Sequence, residues 1–314
     1  MGRQKKVLNC HKTEVLNDLL MKSTISGNLA DVRKWIDQGA NVNVKHLKGE
    51  VTPLAAAIIG ENLKHKNPPK SDDDFFEIFK LLIEKGADMN QLVWMAEEQR
   101  FYPVIFLAIW SGLDKFVEHL MLKGADLNYR YRDNTNCLTL AVKKNHLNIA
   151  KMLLKRRNVK SKIDIKNKTV EATPLEFAIL SNYDEMAKLL IDHGANVNVR
   201  DSKYRHSILH SACHIGTLDI VKVLIEKGAD IEAKTHDGLT PLMTAVMFKK
   251  VTIVQYLLEQ GANPNFRGGK EQITALHRIL DKPKEADKIN EIMIFKLLIK
   301  HGANIDMTCN GKFF

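Results

Sequence analysis

A phrase reading Gly-Ala-Asn or Gly-Ala-Asp recurs after an apolar run at Gly39, Gly86, Gly124, Gly194, Gly228, Gly261 and Gly302. A second phrase, close to Thr-Pro-Leu-x-x-Ala, begins at Thr52, Thr173 and Thr240 and returns in degraded form at Pro103, Asn136, Ser207 and Thr274. From Pro103 onward the starts fall 33, 37, 34, 33 and 34 residues apart. Repetition at that spacing means small units that stack, so chain length stops predicting the number of globular domains.

Each phrase has a local mechanical meaning. A Thr, Ser or Asn side chain at the first position accepts from a free amide of a helix's first turn, and Pro after it stands where the helix needs no N–H. Leu242 and Ala245 then share one face, the small Ala admitting a neighbouring helix closely. The run LDIVKVLIEKGAD places Ile220, Val221, Leu224 and Ile225 on one side of a second helix, which Gly228 stops in the left-handed conformation. Polar stretches with turn formers such as Asp237-Gly238 connect one helix pair to the next as hairpin loops.

These residues resemble the ankyrin repeat, whose period is 33 residues and whose helix-starting phrase is Thr-Pro-Leu-His-x-Ala. The resemblance covers essentially the whole chain and implies an all-α solenoid of antiparallel helix pairs linked by hairpin loops, forming a single domain over 1–314. The expected repeats are 14–45 (an N-terminal cap), 46–92 (with an inserted loop at 60–74), 93–130, 131–165, 166–200, 201–234, 235–267 and 268–308, followed by a truncated tail at 309–314. Within this pattern Arg157 stands where the fourth unit should carry Gly, the third unit's hairpin, with Trp94 and Met95, is longer than usual, and the eighth unit gains DKPKEAD.

Composition narrows the function. The chain is 45% hydrophobic and 27% charged, which suits a packed, folded protein. The cysteines at 10, 137, 213 and 309 never form C-x-x-C, arguing against a disulfide scaffold or zinc ribbon and for the cytosol or nucleus, or a host cell's interior if the source is a virus or intracellular bacterium. No run of 18 apolar residues occurs, and the basic amino terminus lacks the apolar stretch of a secretion signal. Net charge is +10, and the stretch from Arg130 to Lys168, with 12 Lys/Arg against Asp133 and Asp164, holds all of it. Inside it, Lys155, Arg156, Arg157, Lys160 and Lys162 read as a nuclear import signal, an anion site or a solvated loop.

No catalytic, cofactor or metal site is expected. His206, His210 and His214 are spaced four apart beside Cys213, a possible metal face on one continuous helix. His206, however, precedes the helix start at Ser207, and the resemblance gives His210 a structural hydrogen-bonding position. Cys213 has no orienting acid at defined spacing, and Gly268-Gly269-Lys270 lacks the surroundings of a phosphate loop.

Function is therefore expected in a surface. The resemblance implies a protein–protein interaction module, a scaffold, adaptor or regulator, acting as a monomer. It would bind an acidic or amphipathic protein on a concave side formed by hairpin tips and first helices. Carried across residue by residue, the family's contact positions fall on Arg100, Tyr102, Trp110, Arg132, Asp133, Lys143 and Lys144, then on Lys203, Tyr204, His206, His214, Ile215, His236, Leu239, Met247 and Phe248. The alternative is a nuclear regulator contacting nucleic acid through residues 143–168, although no aromatic interleaving or recognised nucleic-acid module accompanies those cations.

Overall fold

The protein is described from a computed structural model over residues 2–45, 51–63, 74–95, 99–160, 162–169, 171–201, 203–269, 272–280 and 288–306. It is mostly helical, 55% of residues lying in helices. The chain divides into two compact units, Met1–Val159 and Lys160–Phe314, where the sequence leads one to expect a single domain.

The first unit begins with α1 (Gly2–Ile25), α2 (Leu29–Asp37), α3 (Pro53–Asn62) and α4 (Asp74–Glu84). A two-stranded hairpin follows, β1 (Leu92–Met95) and β2 (Arg100–Pro103), and then α5 (Val104–Trp110), α6 (Asp114–Leu122), α7 (Cys137–Lys143) and α8 (Leu147–Leu154). A short helix, α9 (Arg157–Lys160), lies at the boundary. Two layers result: α1, α3, α5 and α7 stack in order, and α2, α4, α6 and α8 stack in order against them.

The second unit repeats the plan with α10 (Pro174–Leu180), α11 (Asp184–Asp192), α12 (Ile208–His214), α13 (Leu218–Glu226), α14 (Pro241–Met247), α15 (Val251–Glu259), α16 (Ala275–Leu280) and α17 (Lys288–Lys300). Here α10, α12, α14 and α16 form one layer and α11, α13, α15 and α17 the other.

Two of the first helices, α5 and α7, are short and enclosed. Every residue from Val104 to Ile109 in α5 and from Cys137 to Val142 in α7 is buried, so these helices lack the polar stripe of a surface helix. The second helices keep one: α13 buries Ile220, Val221 and Leu224 and leaves its acidic and basic residues outward. Each fully buried aliphatic side chain contributes about 1.5–3 kcal/mol of transfer free energy.

Helix starts are chemically capped as the phrase implies. The side chains of Thr52, Asn136, Thr173, Ser207 and Thr240 accept from the amides of Ala55, Thr139, Glu176, His210 and Met243. Pro103 opens α5 without a side-chain cap, because a proline ring carries no acceptor to offer the first-turn amides. The terminal glycines take left-handed φ, for example 90° at Gly194 and 84° at Gly228. Behind Gly39 the amide of Ala40 returns to the carbonyl of Trp35, the closure that needs this conformation.

The polar ends of the glycine phrase tie neighbouring loops together. Asn198, four residues after Gly194, accepts from the amide of Asp230 at 2.9 Å and donates to the carbonyl of Gly228 at 3.0 Å. Asn43 does the same with Asp88 and Gly86, and Asn265 with Asn304 and Gly302. Where Arg157 replaces the glycine, the chain forms α9 and Asn128 instead accepts from the side chain of Asn158 at 3.4 Å.

Other boundaries differ from expectation. Helix α1 begins at Gly2, well before residue 14. Residues 60–62 of the expected insert belong to α3, while 64–73 lie outside the described residues, as do the DKPKEAD insert at 281–287 and the expected tail at 309–314. Among the described residues, no helix is long and apolar enough to cross a membrane.

One buried carboxyl sets a pH expectation. Glu176 occupies the third position of α10, where α12 carries His210, and is 6% exposed with its Oε2 lacking a hydrogen-bond partner. Burial raises its pKa above the ordinary carboxylate value, against the Thr173 backbone amide and the charge of Lys166. A carboxyl raised in the fold favours the protonated state, so stability is lost as pH climbs from the unfolded value through the folded one. Urea unfolding of Glu176→Gln should therefore show a higher midpoint than the wild type at pH 8, the gap narrowing toward pH 4.

Candidate functional site

In the first unit, the hairpin register decides which aromatic rings reach solvent. Val93 pairs with Tyr102 and Trp94 with Phe101. Because successive side chains on a strand face opposite ways, Val93 and Tyr102 turn inward, 2% and 7% exposed, while Trp94 and Phe101 turn outward, 36% and 37% exposed. Tyr102 stacks on buried Phe106 at 5.5 Å and meets Tyr131 at 5.3 Å. Its expected place on the contact surface is thus corrected: the ring anchors the hairpin to α5.

Residues after α6 complete this end. Tyr129 stands edge-on to Phe106 at 5.3 Å and donates its hydroxyl to the carbonyl of Phe101 at 3.4 Å. Burial raises its phenol pKa, with Tyr131 adding to the rise and Arg132 opposing it. The Arg100 guanidinium lies over the Tyr131 ring at 4.6 Å. Together β1, β2 and residues 129–132 enclose a groove of about 510 Å³.

The same unit brings Trp110 and Lys144 together, the ammonium 3.2 Å from the ring centroid. Lys143 sits 3.9 Å from a carboxylate oxygen of Asp133, which also accepts from the Thr135 amide and hydroxyl. Asp133 therefore serves the loop's own geometry. Lys155, Arg156 and Arg157 are exposed, but Arg156 donates to the carbonyl of Met121 at 3.3 Å, closing the end of α6.

In the second unit, Asp201 organises a loop by accepting from the amides of Lys203, Tyr204 and His206. Burial alone would raise its pKa, and the amides of Tyr204 and His206 overcome that and lower it. This loop presents Tyr204 half exposed, with Lys203 over its ring at 4.7 Å and His206 at 5.7 Å. His236 donates its amide to the Tyr204 carbonyl at 2.7 Å, which joins two hairpin tips. His214 stacks on Phe248 with ring centroids 3.6 Å apart, and burial first, then Lys250, lowers its pKa. Met247 and Phe248 are 40% and 43% exposed, whereas Ile215 and Leu239 are half-buried. Lys160 is exposed and Lys162 half-buried.

The histidine spacing does not make a metal face. His210 Nδ1 accepts from the Ser207 amide at 3.2 Å, and its Nε2 donates to the Leu239 carbonyl at 2.9 Å, so both ring nitrogens are used. Cys213 is fully buried, and burial pushes its thiol far above the ordinary value, the opposite of an activated nucleophile. Among the described residues no group of three or more His, Cys, Asp or Glu is disposed around a metal position.

The family positions expected from the sequence include Arg100 and Arg132 of the hairpin groove but not Phe101, Tyr129 or Tyr131. The available signal was the pair of β-forming runs LVWM and RFYP separated by a short polar segment.

Comparison with known proteins agrees with the helix-pair architecture. A family model described as ankyrin repeats (3 copies) matches residues 105–201 and 202–268. The chain is 29% identical over 192 residues to the chicken nuclear factor NF-kappa-B p105 subunit, covering 60% of this chain and 19% of that protein. It is 30% identical over 200 residues to a putative ankyrin repeat protein of fowlpox virus, FPV031, covering 62% and 56% respectively. Human Rabankyrin-5 is 24% identical over 275 residues, covering 87% of this chain and 21% of its own. The matches thus span at most 56% of the length of these relatives.

Proposed function

Because this chain belongs to the ankyrin-repeat family, whose repeats are protein–protein interaction modules, we propose that it binds a partner protein on the side of each unit that carries hairpin tips and first helices. It acts in this reading as a scaffold, adaptor or regulator without catalysis, in the cytosol or nucleus. The observation that carries the reading is that large rings are ordered at solvent instead of in the core. Trp110 is fixed under Lys144, and His214 is stacked on a Phe248 that is 43% exposed. Rigid aromatic and cationic side chains of this kind make binding hot spots, because little side-chain entropy remains to be lost. The surplus of cations between Arg130 and Lys168 favours an acidic partner.

Affinity capture with the full chain tests this. Partners recovered by wild type should be lost from Trp110→Ala/Lys144→Glu and from Phe248→Ala, each costing tenfold or more in affinity, on the order of 2 kcal/mol. Identical recovery by wild type and both variants rules out these surfaces. Partners that are nucleic acid, released steeply by salt, would favour the regulator acting through residues 143–168.

A further inference from the structure

We propose that the groove at the β1–β2 hairpin is a pocket for an acidic linear peptide of the partner, a carboxylate side chain meeting Arg130 and Arg132 while a large apolar neighbour lies against Trp94 and Phe101. This rests on the interaction-module reading and names the chemistry recognised by one of its surfaces.

Charge argues first. Arg100, Arg130 and Arg132 line the groove, and among the described residues no carboxylate does. Arg130 and Arg132 are exposed, and neither is held by a hydrogen bond or ion pair among the described residues. The nearby Asp133 does not neutralise them, since its carboxylate serves Thr135 and Lys143. Two guanidiniums two residues apart, beside low-dielectric aromatic walls, suit a carboxylate, which they can grip through paired N–H donors.

Shape and apolar surface supply the rest. Trp94 and Phe101 meet edge to face at 5.1 Å and are each more than a third exposed, leaving apolar ring area at solvent. A volume of about 510 Å³ accommodates a few side chains. The floor is preformed, because Tyr102 is buried against Phe106 and Tyr129 is bonded to the Phe101 carbonyl. Single-stranded nucleic acid is the poorer fit. Bases need open ring faces to stack upon. Arg100 already covers a face of Tyr131, and Trp94 and Phe101 stand at 63° to each other.

Selection of a random dodecapeptide display library on the full chain tests the pocket. Enriched peptides should carry Asp or Glu beside Leu, Phe or Trp. Their affinity, read by fluorescence anisotropy, should fall about tenfold or more in Arg130→Glu/Arg132→Glu and in Trp94→Ala, with unfolding midpoints held near wild type because these side chains are exposed. Absence of binders, enriched peptides without acids, or affinities indifferent to the charge reversal would overturn it. So would a labelled twelve-residue oligothymidine that binds more tightly than the best peptide and is released by the same reversal. The failures are distinguishable. Peptides or captured partners sensitive to Phe248→Ala but not to the arginine reversal refute the pocket and leave the module reading standing. A wild type that captures no protein at all refutes the module reading itself.

Discussion

Taking the protein from pH 7.5 to pH 4 will remove about 3 kcal/mol of folding stability through His210 alone, and this loss will be absent from His210→Gln. His210 is 2% exposed, and burial depresses its pKa from 6.5 to about 4. The hydrogen bonds fix the reason at the level of the tautomer. Nδ1 must accept from the Ser207 amide while Nε2 donates to the Leu239 carbonyl, so a second proton, on Nδ1, would face a donor. A base whose pKa is lower in the fold is stabilising when neutral. The contribution is complete above the unfolded value near 6.5 and is lost as pH falls from there toward 4. Asp201, depressed in the fold, adds a loss of the same sign, but only as pH falls through the carboxylate range. Urea titrations at half-unit intervals separate the two. The His210 loss is already under way at pH 6, where Asp201, held below the ordinary carboxylate value, is still ionised. The Gln variant will start from a different stability, because it replaces the ring that bridges Ser207 and Leu239, so the slope with pH is the readout. A wild-type slope between pH 6.5 and 4.5 no steeper than that of His210→Gln would rule out the neutral bridging imidazole.

What could be read in the sequence follows from the range of each interaction. Helix starts at Thr52, Asn136, Thr173, Ser207 and Thr240 were legible because a cap joins residues three apart. The stops at Gly39 through Gly302 were legible because left-handed φ is a property of one residue. The asparagine four residues after Gly39, Gly86, Gly194 and Gly261 is equally regular, yet its work is done on the next loop, 30 to 45 positions away, and only coordinates reveal it. The groove was illegible for the same reason: it draws Trp94, Phe101 and Arg132 from separate segments. Tyr102 shows how narrow the margin is, since one step of strand register separates an inward anchor from an outward contact.

The largest mutational effect is expected at Phe79. Its ring is fully buried in α4 and packs at 4.7 Å on Phe116 of α6 and at 6.4 Å on Phe76. Phe79→Ala should cost about 3–5 kcal/mol, transfer free energy plus the cavity left behind. The loss should also be local. Helix α4 packs on α2, α3 and α6, its sequence neighbours, and stacked repeats couple chiefly through such nearest-neighbour interfaces. Hydrogen exchange will therefore show α3 to α6 losing protection first, while the amides of α12 to α15, in the other unit, stay near their wild-type rates. The neighbour-only account predicts this gradient because the helices packed on α4 are α2, α3 and α6. If α14 lost as much protection as α4, folding would be a single all-or-none event over the chain, and the stacking of independent helix pairs would no longer describe how this sequence holds its surfaces in place.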